Sequence, residues 1–123
     1  MDVRRLDLHS EFELKEVFGD STRDVEKADL VKLVYLEAVI KEAARFITVT
    51  PALLRHVDKD VKLTGSHCVL LVSGLHRHPI WGDDVNEFKP ERWLDPEAMA
   101  DPNSALNTAF GVFGSGKRFC MGK

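Results

Sequence analysis

Phe113-Gly114-Ser115-Gly116-Lys117-Arg118-Phe119-Cys120-Met121-Gly122 is the stretch that decides how this chain is read. Phenylalanine, glycine, arginine, cysteine and glycine follow one another at the spacing F-x-x-G-x-R-x-C-x-G. Gly116 and Gly122 leave the backbone without Cβ bulk on both sides of Cys120, so the chain there can come close to a partner. Backbone N–H groups left free by such a loop can point at the sulfur. Taken singly, Cys120 would be read as a small buried hydrophobe. A second reading starts two residues earlier. Gly111 to Lys117 fits G-x-x-x-x-G-K, the opening of a phosphate-binding loop. That motif needs Ser or Thr next to hold Mg²⁺, with a strand before and a helix after, and Arg118 stands in the Ser/Thr position.

Upstream, the periodicity predicts a long helix over 29–46. Asp29 is a candidate N-cap, and Leu33, Leu36, Ile40 and Ala43 form a 3-4-3 stripe for one buried face. Glu37 and Lys41 make an i,i+4 pair of the favourable orientation. Thr48-Val49-Thr50-Pro51 ends the helix, because β-branched residues and proline resist it. Before it, Glu11 to Phe18 reads as the end of another helix, stopped at Gly19. After it, Ala52 to Val57 and Cys68 to Val72 are apolar runs of strand length. They are joined through Asp58-Lys59-Asp60 and Thr64-Gly65-Ser66. From 79 to 110 proline and Asp-Pro pairs punctuate the chain repeatedly. Trp81, Phe88, Trp93 and Phe110 predict an ordered, packed meander there. His67, Cys68, His76 and His78 fit no zinc spacing, and Cys68 in its apolar run reads as a buried thiol.

The bulk numbers bound the function classes. The chain has 123 residues, 44% hydrophobic and 30% charged, enough for one domain with a core. A net charge of -3 makes no case for nucleic acid, which calls for a basic surface. No stretch is apolar for the roughly 20 residues a membrane span takes, and residues 1–10 lack the apolar segment of a signal peptide. Two cysteines make no disulfide framework, which fits a reducing compartment.

The 113–122 stretch resembles, at every fixed position, the haem-binding loop of the cytochromes P450. Two further motifs carry the resemblance. Glu42-Ala43-Ala44-Arg45 is similar to the family's E-x-x-R pair, and Pro90-Glu91-Arg92-Trp93 to its P-E-R-F turn. Their order and rough spacing match over nearly the whole chain, most weakly over the first ten residues. Local wording such as Leu75-His76-Arg77-His78-Pro79 is similar to insect microsomal members near family 4.

The resemblance implies a mainly α fold with a small β-sheet, the C-terminal part of the cytochrome P450 fold, ending at the cysteine loop. It implies haem b (iron protoporphyrin IX) as cofactor and Cys120 as the thiolate ligand of its iron. Phe113, Gly114, Gly116, Arg118 and Gly122 would form the rest of the haem loop, with Phe113 packed beside the sulfur and Arg118 reaching a propionate. Arg55 is either a second propionate partner or a plain exposed strand arginine. Glu42, Arg45 and Arg92 would form a buried structural ion network. The implied function is monooxygenation of an apolar organic substrate, with electrons from NADPH–cytochrome P450 reductase. Lys117 and Lys123 would face that reductase. The location implied is the endoplasmic reticulum membrane, held through an anchor absent from this chain.

Some features depart from the family. Ala44 stands where leucine is usual, Leu63-Thr64-Gly65 replaces a Leu-Pro-x-Gly stretch, and the hairpin is short. The distal helix of the family is absent too. The 123 residues alone are therefore expected to bind haem weakly and to oxidise nothing. A non-catalytic haem-binding remnant and a nucleotide-binding module are the alternatives.

Overall fold

A computed structural model describes residues 3–56, 67–114 and 116–122. Helix α1 spans Val3–Phe18, so the segment expected from Glu11 begins well before it. A short helix α2, Lys27–Leu30, is followed by α3, Val34–Ile47. The single helix expected over 29–46 is thus two, and Asp29 is not the N-cap of the long one. The reason lies in which carboxylates meet which donors. Asp29 is buried and accepts two hydrogen bonds from Arg23, at 2.7 and 2.8 Å, and one from the Glu26 N–H at 3.0 Å. The free amides at the start of α3 are taken instead by Glu13 of α1, whose carboxylate accepts from the N–H groups of Tyr35 and Leu36. Helix starts leave such donors orphaned, and here another helix supplies the acceptor.

The buried face of α3 is also not the expected stripe. Tyr35, Ala38, Glu42 and Arg45 point inward, while Ile40 is 61% exposed. The 3-4-3 spacing is right, but the face is rotated toward one that carries two charges. Glu37 and Lys41 do pair, at 2.7 Å.

Strands β1, Ala52–His56, and β2, His67–Leu71, pair antiparallel with Ala52 opposite Leu71 and His56 opposite His67. The expected β2 ran to Val72, but Val72 opens a short helix α4, Val72–His76, and buries its side chain there. The turn residues expected at 58–60 and 64–66, Val57 and Leu63-Thr64-Gly65 lie outside the described residues. Cys68 is half-buried and Val69, Leu70 and Leu71 are exposed, so the run holding this thiol is not a core strand.

The expected meander over 79–110 is a chain of short helical turns: Pro79–Trp81, Pro90–Leu94, α5 (Pro96–Ala100) and α6 (Ala105–Thr108). Proline starts several of them, because its fixed φ suits a first turn. The Asp95 carboxylate caps α5 by accepting from the Glu97 N–H at 3.0 Å. This segment carries the core. Trp81, Val85, Trp93 and Ala109 close over Ala38 of α3, with Phe110 packed against them. The Trp81 and Trp93 rings lie 5.6 Å apart, and Trp93 meets Phe110 edge-on at 4.6 Å. Among the described residues the architecture is mainly helical with one two-stranded sheet.

Candidate functional site

Arg45 is fully buried and all five of its N–H donors are used. Nε and Nη2 meet Glu42 at 2.8 and 2.7 Å. The remaining hydrogens go to the carbonyls of His76, Val85 and Glu87. Arg45 therefore ties three points of the following segment to α3, which a lysine with three donors cannot do.

Glu42, also fully buried, accepts from five donors. Besides Arg45 these are the Lys89 N–H, the Arg92 Nε and the Trp93 indole N–H, at 2.9, 3.1 and 3.0 Å. Burial pushes the Glu42 carboxyl up, but Arg45 and the Lys89 and Trp93 donors outweigh it and hold the group below its ordinary value. Arg92 continues the network to Asp84, and Asp84 pairs with Lys89 at 2.7 Å. The structure thus brings Glu42, Arg45 and Arg92 together. Asp84 and Trp93 take part as well and were not expected from the sequence. Their only local trace is aspartate at 83 and 84 and tryptophan after the Pro-Glu-Arg turn.

From Ala109 the chain leaves the core and enters the cysteine loop. Gly114 and Gly116 have φ of +70° and +62°, a left-handed conformation that side chains with a Cβ rarely adopt. The turn they make returns the chain so that the Cys120 N–H donates to the Phe113 carbonyl at 2.9 Å. The Gly122 N–H in turn points at the Cys120 Sγ, 3.4 Å away. A Cβ on Gly122 would lie 3.7 Å from that sulfur. Phe113 lines the same cavity as Cys120, its ring 6.4 Å from that of Phe119, and Cys120 is exposed.

Arg55 and Arg118 line the same cavity as Cys120, about 150 Å³ in volume, with Leu53, Val72 and Phe113 as apolar walls. It adjoins a larger hollow of about 780 Å³ that both arginines also border, under Leu70, Leu71 and Leu75. Among the described residues neither arginine forms an ion pair with a carboxylate, and the Arg55 side chain donates there to the carbonyl of Leu54. Ser115 and Lys123 lie outside the described residues. The phosphate-loop alternative lacks its frame, since α6 and not a strand precedes Gly111, and Gly116–Arg118 is a single 3₁₀ turn.

The family model for cytochrome P450 matches residues 10–123. The chain belongs to the cytochrome P450 family. Cytochrome P450 4V2 of Homo sapiens is 36% identical over 117 residues, 90% of this chain and 22% of the relative. Cytochrome P450 1A1 of Cavia porcellus is 36% identical over 119 residues, again 90% of this chain and 22% of the relative. The equal identity to members of different P450 families does not single out family 4, and the insect-like placement gains no support. Among solved structures, a zebra fish cytochrome P450 in a structure with progesterone superposes with a TM-score of 0.79 at 27% identity, over 98% of this chain and 27% of its own length. The cytochrome P450 CYP102L1 superposes with a TM-score of 0.82 at 25% identity, over 99% of this chain and 28% of its own. The chain therefore spans about a fifth of the length of these curated relatives.

P450 membership brings haem with it, and the residues present fit that group. The loop offers a thiol with an amide N–H directed at its sulfur. Beside it lie two guanidiniums for propionates and apolar walls for a flat macrocycle. His76 and His78 are engaged elsewhere. His78 Nδ1 accepts from the Ile80 N–H at 3.2 Å, and His76 is fully buried among hydrogen bonds. Among the described residues no helix is long and apolar enough to cross a membrane.

Proposed function

We propose that this chain is the proximal haem-binding part of a P450 monooxygenase, with Cys120 as the iron ligand. The observation that carries the reading is the Gly122 N–H held 3.4 Å from the Cys120 Sγ, in a loop whose cavity Arg55 and Arg118 also line. When bound, haem b supplies the iron chemistry that activates O₂ and places one oxygen atom in an organic substrate. The chain's own residues do the holding. Cys120 presents the thiolate, and the Gly122 amide stabilises charge on its sulfur. Arg118 and Arg55 bind propionates in charge-assisted pairs. The network at Glu42 keeps the meander, and with it the start of the loop, fixed on α3.

An apolar substrate, NADPH–cytochrome P450 reductase as electron donor and attachment to the endoplasmic reticulum membrane complete the proposal. Lys117 is exposed beside the loop, and a basic group there would attract an acidic flavoprotein surface. Lys117→Glu should slow first electron transfer and weaken its salt dependence. Unchanged rates across salt concentrations would remove Lys117 from that role.

The decisive test is the ferrous carbonyl spectrum of the full-length protein. Cys120→Ser should abolish the red-shifted band of thiolate ligation, and Cys68→Ser should keep it. Survival of the band in Cys120→Ser would overturn the assignment.

A further inference from the structure

His76 is fully buried and joins two segments distant in sequence. Its Nδ1 lies 3.0 Å from Thr48 Oγ1, just past the end of α3. Its Nε2 accepts the Gly111 N–H at 3.1 Å, where the chain enters the cysteine loop. The partners assign the tautomer. An amide nitrogen only donates, so Nε2 is bare. The Thr48 hydroxyl gives its one hydrogen to the Arg45 carbonyl at 2.9 Å, so Nδ1 carries the proton and donates to Thr48. Arg45 Nη1 donates to the His76 carbonyl at 2.8 Å, which closes the cycle. The ring also stacks on Phe110 at 5.8 Å.

A second observation marks the same place. Thr48, with φ of 41°, is the one non-glycine residue with positive φ among the described residues. A β-branched residue in that region is an outlier. Such strain persists where the surroundings over-determine it, often at functional sites. Here the hydroxyl that the strained backbone presents is the acceptor His76 needs.

We propose that His76, as the neutral Nδ1–H tautomer, is a positioning residue for the cysteine loop: it holds the Gly111 amide to the end of α3, and a second proton on the ring releases it. The inference rests on the reading of Cys120 as haem ligand. Protonation would set an Nε2–H against the Gly111 N–H, turning an attraction into a repulsion. α3 brings one charged group to the ring, Arg45, itself paired with Glu42; Phe110 and Gly111 bring none from the loop side. Burial pushes His76 below the ordinary histidine value, so the ring is neutral at neutral pH.

The test uses the full-length, haem-loaded protein with two readouts: amide exchange at Gly111, and the fraction of the ferrous carbonyl complex in the thiolate band, both against pH. In the wild type, acidification through the His76 titration should lower the protection of the Gly111 amide, taken against its intrinsic exchange rate at each pH, and shrink the thiolate fraction together. His76→Phe keeps a ring on Phe110 and loses both hydrogen bonds. At pH above the His76 titration it should exchange Gly111 at least about fivefold faster than the wild type, the equivalent of one lost hydrogen bond, and start with a smaller thiolate fraction. His76→Gln can offer Gly111 an acceptor and cannot titrate. It should keep the neutral-pH thiolate fraction and lose the pH step. The proposal is overturned if folded His76→Phe matches the wild type in both readouts, or if His76→Gln retains the pH step. Should His76→Phe not fold, the His76→Gln comparison decides alone. A wild type with no thiolate band at any pH, whose Gly111 exchange still follows His76, would instead overturn the reading of Cys120.

Discussion

Arg45 meets Glu42 through two parallel hydrogen bonds of 2.7 and 2.8 Å, and both side chains are completely buried. Breaking a buried pair by removing one partner leaves an uncompensated charge and costs about 3–5 kcal/mol. Glu42→Ala should lose stability of that order in denaturant melts. Glu42→Ala/Arg92→Ala should lose clearly less than the sum of the two singles, because Arg92 has lost its buried partner once Glu42 is gone. Additive losses would show that the two do not act as a unit. Arg45→Lys should fare little better than Arg45→Ala, since three donors cannot serve five acceptor contacts.

Acid should destabilise the fold in a set order. Glu42 and Asp84 sit below their ordinary carboxyl values. The hydrogen bonds from Arg23, then that from the Glu26 N–H, hold Asp29 down to about 2 from 3.8. A depressed carboxyl contributes stability that is full above its unfolded value and is lost as pH falls through its folded one. Unfolding free energy should therefore decline as pH falls below 4.5, the ordinary value for Glu42. Asp29→Asn should flatten the part of that decline between pH 3.8 and about 2. An unaltered slope there in urea titrations would mean that Asp29 is not held by Arg23 in solution.

Gly116 separates conformation from space. Its φ is +62°, yet among the described residues an added Cβ would meet no atom within 4 Å beyond its chain neighbours. Gly116→Val should weaken haem retention by about 1–2 kcal/mol through backbone strain. Gly116→Asn should lose less, since asparagine tolerates the left-handed region. Equal haem dissociation rates for both variants would rule out backbone conformation as the reason for glycine.

Glu13 caps a helix that is not its own. Its carboxylate takes the N–H groups of Tyr35 and Leu36. Loss of a side-chain cap typically costs about 1 kcal/mol. Glu13→Ala should lower the melting midpoint modestly and speed exchange of the Tyr35 and Leu36 amides, leaving that of Cys120 unchanged. Uniform acceleration across the chain would point to global loosening instead.

Local patterns in the sequence determined a good deal. The spacing around Cys120 marks the loop, and the i,i+3 spacing of Glu42 and Arg45 puts them on one helical face. These two are short-range relations that loop and helix geometry enforce. That the Pro-Glu-Arg turn brings Arg92 back to Glu42, 50 residues away, was implied only by the resemblance to the family. The tertiary structure decided the rest. A 3-4-3 apolar stripe can be drawn through Ile40, and propensity favours it, but the face that turned inward is the one whose charges find partners in the meander. Asp29 looks like a cap in isolation, but Arg23 claims its oxygens and Glu13 supplies the acceptor from twenty-odd residues upstream. No local pattern reveals that His76 would meet Thr48 and Gly111, or that Arg45 would satisfy three distant carbonyls. Hydrogen-bond partners of buried groups are settled by which segments pack together, and an unmet donor or acceptor in the core costs too much for any other outcome.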